Sequence, residues 1–115
     1  MSELLERQMR FARMVSRLLD HAHELGFDVT LGDAYRDPRV HGDVGVARGY
    51  GHARSCHKLR LAVDLNLFRA GRLLVQTEDH RPLGEWWEAH GGSWGGRFKP
   101  AADGNHYSLE YQGMR

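Results

Sequence analysis

Apolar residues in the first part of the chain recur every third or fourth position: Leu4, Leu5, Met9, Phe11, Ala12, Val15, Leu18, Leu19, Ala22 and Leu25. That period predicts an amphipathic helix over residues 2–25, with Ser2 as its N-cap and Gly26 as its stop. The period then falls to two. Phe27-Asp28-Val29-Thr30-Leu31 alternates and predicts a first strand ending at Gly32, after which Tyr35 and Arg36 project into a loop at the Asp37-Pro38 turn signal. From Arg39 to Arg54 four glycines (Gly42, Gly45, Gly49, Gly51) and little apolar period predict a long loop with room for one helical turn. Loops of that length in a small domain are usually functional.

The clearest alternation in the chain follows. Leu61, Val63, Leu65 and Leu67 share one face of a predicted strand, and Ala62, Asp64, Asn66 and Phe68 share the other, so Asp64 leaves the sheet opposite the leucines. Arg69-Ala70-Gly71 predicts a tight turn into a hairpin partner at Arg72-Leu73-Leu74-Val75. Pro82 to His90 reads as a short helix stopped by Gly91-Gly92; its neighbours Trp86 and Trp87 cannot both face inward, which leaves one to line a cleft. A glycine-rich connection through Ser93-Trp94-Gly95-Gly96 leads to a closing strand from His106 to Tyr111. The elements predict a small α+β domain over residues 1–115, an N-terminal helix with an antiparallel sheet.

Charge narrows the function classes. Sixteen basic and fifteen acidic residues leave a net charge of +1, which excludes a general nucleic-acid binder driven by phosphate contacts. The distribution is uneven: Arg36, Arg39, Arg48, Arg54, Lys58 and Arg60 face only Asp37 and Asp43 in that segment, an excess that draws an anionic substrate or polymer. One cysteine, Cys56, allows no internal disulfide. In an extended segment its side chain points away from that of His57, so it reads as a small buried residue rather than a second ligand. The N-terminus interrupts its leucines with charges, unlike a secretion signal, and no run is long enough to span a bilayer. The expectation is a protein made soluble in a host cytoplasm, without stable membrane insertion, and monomeric.

Candidate chemistry gathers at two stretches. His57 lies just ahead of the strand from Leu61, Asp64 points out of it, and His106 opens the closing strand. Each of the eight histidines taken singly is best read as an ordinary surface or core residue. Together, nitrogen and carboxylate donors at strand entries suit zinc, and three protein ligands leave one tetrahedral position open for chemistry. Asp103, three residues before His106 beside Gly104, is either a turn residue or a carboxylate near that open position, able to move a proton. Arg36 is either a surface partner of Asp33 or Asp37, or a fixed fork for a substrate carboxylate or oxyanion.

The pattern Ser55-x-His57, an aspartate seven residues after that histidine, and Asp103-x-x-His106 preceded by Trp94-Gly95-Gly96 resembles the M15 zinc peptidases. These include VanY-like D-alanyl-D-alanine carboxypeptidases and phage L-alanyl-D-glutamate endopeptidases that act as endolysins. The resemblance covers about residues 29 to 111 and is closest to the compact phage-type enzymes, through Leu61-Ala62-Val63-Asp64-Leu65-Asn66-Leu67-Phe68 and Gly104-Asn105-His106-Tyr107-Ser108-Leu109-Glu110. It implies a hedgehog/DD-peptidase-like fold, Zn2+ on His57, Asp64 and His106, a catalytic carboxylate at Asp103, and a substrate or transition-state role for Arg36. Ser55, with the neighbouring Tyr35 loop, would meet substrate. The implied partner is a peptidoglycan stem peptide, reached after release from the cytoplasm with help from a separate pore-forming protein. Two positions depart from the family: Arg60 stands where many relatives have glycine, and Asp103 where many have glutamate, the shorter acid being associated with the endopeptidase branch. The alternatives are a D-alanyl-D-alanine carboxypeptidase or dipeptidase and a non-catalytic, zinc-stabilised wall-binding module.

Overall fold

The computed structural model describes residues 1–46 and 52–115. Arg48, Gly49 and Gly51 of the predicted loop therefore lie outside the described residues. Helix α1 runs Glu3–Glu24, with the Ser2 hydroxyl accepting a hydrogen bond from Leu5 N and Gly26 in the left-handed region at φ 87°. Its buried stripe is Phe11, Met14, Leu18 and Ala22. Met14 was absent from the predicted apolar set, whereas Leu5, Met9 and Leu25 of that set are exposed. The helix is longer than the core it covers, so only one narrow stripe is buried.

Strand β1 (Asp28–Leu31) pairs antiparallel with β2 (Ala62–Arg69), which is the spine of the sheet. On its other edge β2 pairs first with β5 (His106–Ser108) and then with β3 (Arg72–Leu74), and β4 (Ser93–Trp94) extends the sheet beyond β5. The predicted alternation holds along β2: Leu61, Val63, Leu65 and Leu67 are at most 3% exposed. The loop from Arg39 carries a single helical turn, α2 (Pro38–His41), capped by the Asp37 carboxylate. Ala70 and Gly71 both have positive φ and close the β2–β3 hairpin. The closing strand is shorter than its predicted reach to Tyr111, because the chain turns into an isolated pairing of Tyr111 with Met114.

Helix α3 (Arg81–Ala89) settles the tryptophan question. Trp87 is fully buried, edge-on to Phe11 of α1 at 5.8 Å and to Tyr107 of β5 at 6.1 Å. Trp86 is half-buried and stacks between His21 and His90, and it lines neither of the two clefts described below. The two buried indoles brace β5 at both ends: Trp87 Nε1 donates to Ser108 O and Trp94 Nε1 to Gly104 O, each at 2.8 Å. Gly84 and Gly92 make this possible, since a Cβ on Gly84 would fall inside the Trp94 ring and one on Gly92 inside the Trp87 ring. Gly84→Ala is expected to lower stability by roughly 1–3 kcal/mol through overpacking, read as a shift of the urea midpoint without a change in slope.

Beneath β5, His80 Nδ1 and the Tyr107 hydroxyl lie 2.7 Å apart and both residues are buried. Burial pushes the His80 imidazole down from 6.5 to about 4, with the Asp79 charge opposing in part. Burial likewise pushes the Tyr107 phenol above its ordinary range. An unfolded chain takes up the His80 proton near 6.5 and the folded chain only near 4. This contribution to stability is therefore complete above 6.5 and lost as pH falls toward 4. Between pH 7 and pH 5 the metal-free protein should lose about 2 kcal/mol more stability than its His80→Gln variant, as measured by urea titration at both pH values.

Candidate metal centre

Asp64 and His106 face each other across the β2–β5 pair. Asp64 N donates to Asp33 O at 2.7 Å and its carbonyl accepts from Gly32 N at 2.8 Å, so its backbone bonds both point toward the β1 side. Toward β5 it forms a non-hydrogen-bonded pair, the antiparallel position that brings opposing side chains closest. The result is His106 Nδ1 at 3.6 Å from Asp64 Oδ1.

His57 arrives from a different kind of element. Residues Cys56–Leu59 form a 3-10 turn rather than the extended segment that the apolar run suggested. The Ser55 hydroxyl caps it by accepting from His57 N at 3.2 Å, and His57 O accepts from Arg36 N at 3.1 Å. His57 Nε2 then lies 3.2 Å from Asp64 Oδ1, and its ring stands edge-on to His106 at 5.1 Å. Arg60 ends the turn at φ 57°, ψ 35°, the left-handed conformation that glycine reaches most easily. Its guanidinium lies 4.0 Å over the Tyr35 ring, so a cation–π contact accompanies this left-handed backbone.

One donor atom from each of His57, Asp64 and His106 lies within 4.8 Å of the others. His57 is 1% exposed and His106 5%. His57 Nε2, Asp64 Oδ1 and His106 Nε2 are buried without a hydrogen-bond partner among the described residues. Buried polar atoms left in that state are costly. A divalent cation among them would remove the cost, and a two-nitrogen, one-oxygen donor set fits zinc. Burial works against the Asp64 charge, but the imidazoles of His106 and His57 outweigh it and hold the carboxyl well below the usual carboxylate range. The ligand is therefore an anion at neutral pH.

The two imidazoles line the floor of a cleft of about 490 Å³. Arg36, Ser55 and Asp103 line it too. Arg36 Nη1 donates to Ser55 Oγ at 2.8 Å and Nε pairs with Asp33 at 3.6 Å, fixing the guanidinium at the wall. The Ser55 hydroxyl is buried and engaged by Arg36 and the His57 amide, so its visible work is to position a ligand. Tyr35 lies under Arg60 and does not line the cleft among the described residues. Cys56 is fully buried, and burial, with a smaller push from Glu110, raises its thiol to about 12.

Asp103 is exposed and its backbone is pinned. Its N–H donates to Gly95 O at 2.8 Å and its carbonyl accepts from His106 N at 3.1 Å. Gly95 is required for this approach, because a Cβ there would run into Asp103 O and His106 Cβ. Sequence reasoning noted Trp94-Gly95-Gly96 without this steric role. It also missed Phe98, whose ring lies 5.2 Å from His106, and the cations Lys99 and Arg115 on the cleft wall, which nothing in the chain order connects to His57.

A family model described as D-alanyl-D-alanine carboxypeptidase, of the M15 peptidases, matches residues 48–109. The chain belongs to the M15 metallopeptidases. The family uses zinc, and its matched region holds all three candidate ligands and Asp103. Among solved structures, the M15 fold seen here is similar to the Serratia marcescens L-Ala D-Glu endopeptidase ChiX: TM-score 0.66 and 17% identity, over 90% of this chain and 80% of that one. At that identity the likeness establishes the fold. No curated protein sequence matches the chain.

Zinc added to the metal-free protein is expected to raise stability, by about 4 kcal/mol at a thousandfold excess over Kd. His106→Ala and Asp64→Asn should each abolish that increment in a thermal melt, while leaving the metal-free protein folded by circular dichroism.

Proposed function

We propose that the protein hydrolyses an amide bond in peptidoglycan stem peptides, as an L-Ala–D-Glu endopeptidase of the phage endolysin kind. The observation that carries this reading is the convergence of His57, Asp64 and His106 donor atoms at the point where the two imidazoles line a cleft that Asp103 also lines. In this reading residues 1–115 act as one catalytic domain and His57, Asp64 and His106 hold Zn2+. The ion when bound supplies Lewis-acid polarisation of the scissile carbonyl and an acidified water. The Asp103 carboxylate accepts the proton of the attacking water and delivers it to the departing amine nitrogen. Arg36, held by Ser55 and Asp33, presents its fork to a substrate carboxylate or to the developing oxyanion.

The shape and charge of the cleft favour the endopeptidase. Its 490 Å³ suits a segment of several residues rather than one terminal alanine, since pockets of roughly 300–1,000 Å³ take drug-sized ligands. Asp103 also borders a second depression of about 320 Å³, lined by neutral side chains such as Asn66, Thr77 and Asn105. A chain crossing Asp103 thus has room on both sides, with cations on one side and neutral groups on the other. That polarity suits a peptide whose free carboxylates lie on one side of the scissile bond. The description of the matching family model supports a second reading, a D-alanyl-D-alanine carboxypeptidase. As an endolysin the protein would reach the wall through a pore made by another protein, and among the described residues no helix is long and apolar enough to cross a membrane.

Digestion of purified peptidoglycan followed by mass spectrometry should reveal new L-Ala carboxyl and D-Glu amino ends. Release of free D-alanine would favour the carboxypeptidase instead. Asp103→Asn should lower kcat by about 10²–10⁴-fold while zinc affinity is unchanged, and undiminished lysis by this variant would remove Asp103 from the mechanism.

A further inference from the structure

Lys58 follows the first ligand directly in sequence, yet it is only 5% exposed. Its ammonium donates to four backbone carbonyls: His41 O at 3.1 Å, Asp43 O at 3.1 Å, Val46 O at 2.6 Å and Ala53 O at 3.2 Å. An ammonium has three protons, so four acceptors saturate it and one N–H is shared. Among the described residues no carboxylate pairs with Lys58. Its charge is met by carbonyl dipoles, much as a bare cation is held in a ring of backbone oxygens.

The four carbonyls lie on either side of one connection, three between His41 and Val46 and the fourth at Ala53. Ala53 O also accepts from Gly45 N at 2.8 Å, so the two limbs meet at the ammonium. Ala53 stands between His52 and Arg54, which both line the cleft. The base of Lys58 belongs to the capped turn that carries His57. One side chain therefore ties the metal-bearing turn to the backbone that presents an imidazole and a guanidinium to the cleft.

We propose that Lys58 is a built-in cation that positions His52 and Arg54 on the cleft wall for an anionic substrate. It acts through the backbone and touches neither substrate nor metal, so it is a positioning residue. The tie itself stands on the hydrogen bonds; its consequence for substrate rests on the peptidase reading of the cleft. A methionine at this position keeps the unbranched chain, shorter by one heavy atom, and removes the ammonium. A hydrophobic chain end among four carbonyls leaves them without donors, and the two limbs separate.

The test compares the zinc-loaded wild-type protein with Lys58→Met by three readouts. Amide exchange at Gly45, which reports the limb contact directly, should accelerate at least about tenfold. KM for soluble anionic peptidoglycan fragments should rise about fivefold or more with kcat within about twofold, and zinc affinity by chelator competition should not change. Lys58→Ala with added propylammonium should recover slow exchange at Gly45 and the lower KM. Unchanged exchange in Lys58→Met overturns the tie, and loss of zinc together with faster exchange overturns the assignment to substrate positioning. If Lys58→Met does not fold, Lys58→Gln is read by the same exchange and KM measurements with the same outcomes. Should the wild-type protein have no activity on peptidoglycan, the exchange result still decides the role of Lys58, and only the function proposed for the cleft fails.

Discussion

Two imidazoles and a carboxylate buried with their donor atoms facing one another are unfavourable in an otherwise apolar sheet, and much of this molecule is arranged to hold them there. His57 Nε2 and His106 Nδ1 both approach Asp64 Oδ1, at 3.2 Å and 3.6 Å, and His57 Nε2, Asp64 Oδ1 and His106 Nε2 have no hydrogen-bond partner among the described residues. A cation at that point converts a cost into a reason for the geometry. Two devices hold the three donors: a strand pairing for Asp64 and His106, and a serine-capped turn for His57.

The hydrophobic core serves this arrangement directly. Trp87 and Trp94 fill the space between α1, α3 and the sheet, and their indole N–H groups are satisfied by the carbonyls of Ser108 and Gly104, two residues either side of His106. Packing energy from two large aromatic side chains is in this way converted into the position of a ligand strand. Gly84, Gly92 and Gly95 are the cost of that closeness, and each is small because a side chain atom would overlap an indole or the Asp103 carbonyl.

Above the donors the cleft is electrostatically one-sided. Arg36, Arg54, Lys99 and Arg115 line it with Asp103 as the acidic residue, so its wall attracts anionic groups. Arg36 owes its place to the turn that it also supports, since its N–H holds His57 O and its guanidinium holds Ser55. The cleft wall and the turn that carries His57 are joined through that one residue.

The elements were legible in the sequence because they depend on local period: α1 from its 3–4 spacing, β2 from alternation that put Asp64 opposite the leucines, and the hairpin from Ala70-Gly71. The pairing of His57, Asp64 and His106 as donors was legible as residue types at strand entries, helped by a family pattern. The rest depended on contacts between residues distant in sequence. Cys56–Leu59 became a 3-10 turn because Ser55 and Arg36 bind its backbone, which no apolar period reveals. Trp87 went inward and Trp86 stayed half-buried between His21 and His90 because only one helix face meets Phe11 and Tyr107. Arg60 takes a left-handed backbone angle with its guanidinium over Tyr35, and Lys58 is met by four carbonyls gathered around it. By itself the sequence determined which residues could ligate and the strand face from which Asp64 projects, because those follow from chemistry and a two-residue repeat. Only the tertiary structure decided which cations share the cleft with them, because charge carries no periodicity and acts through space.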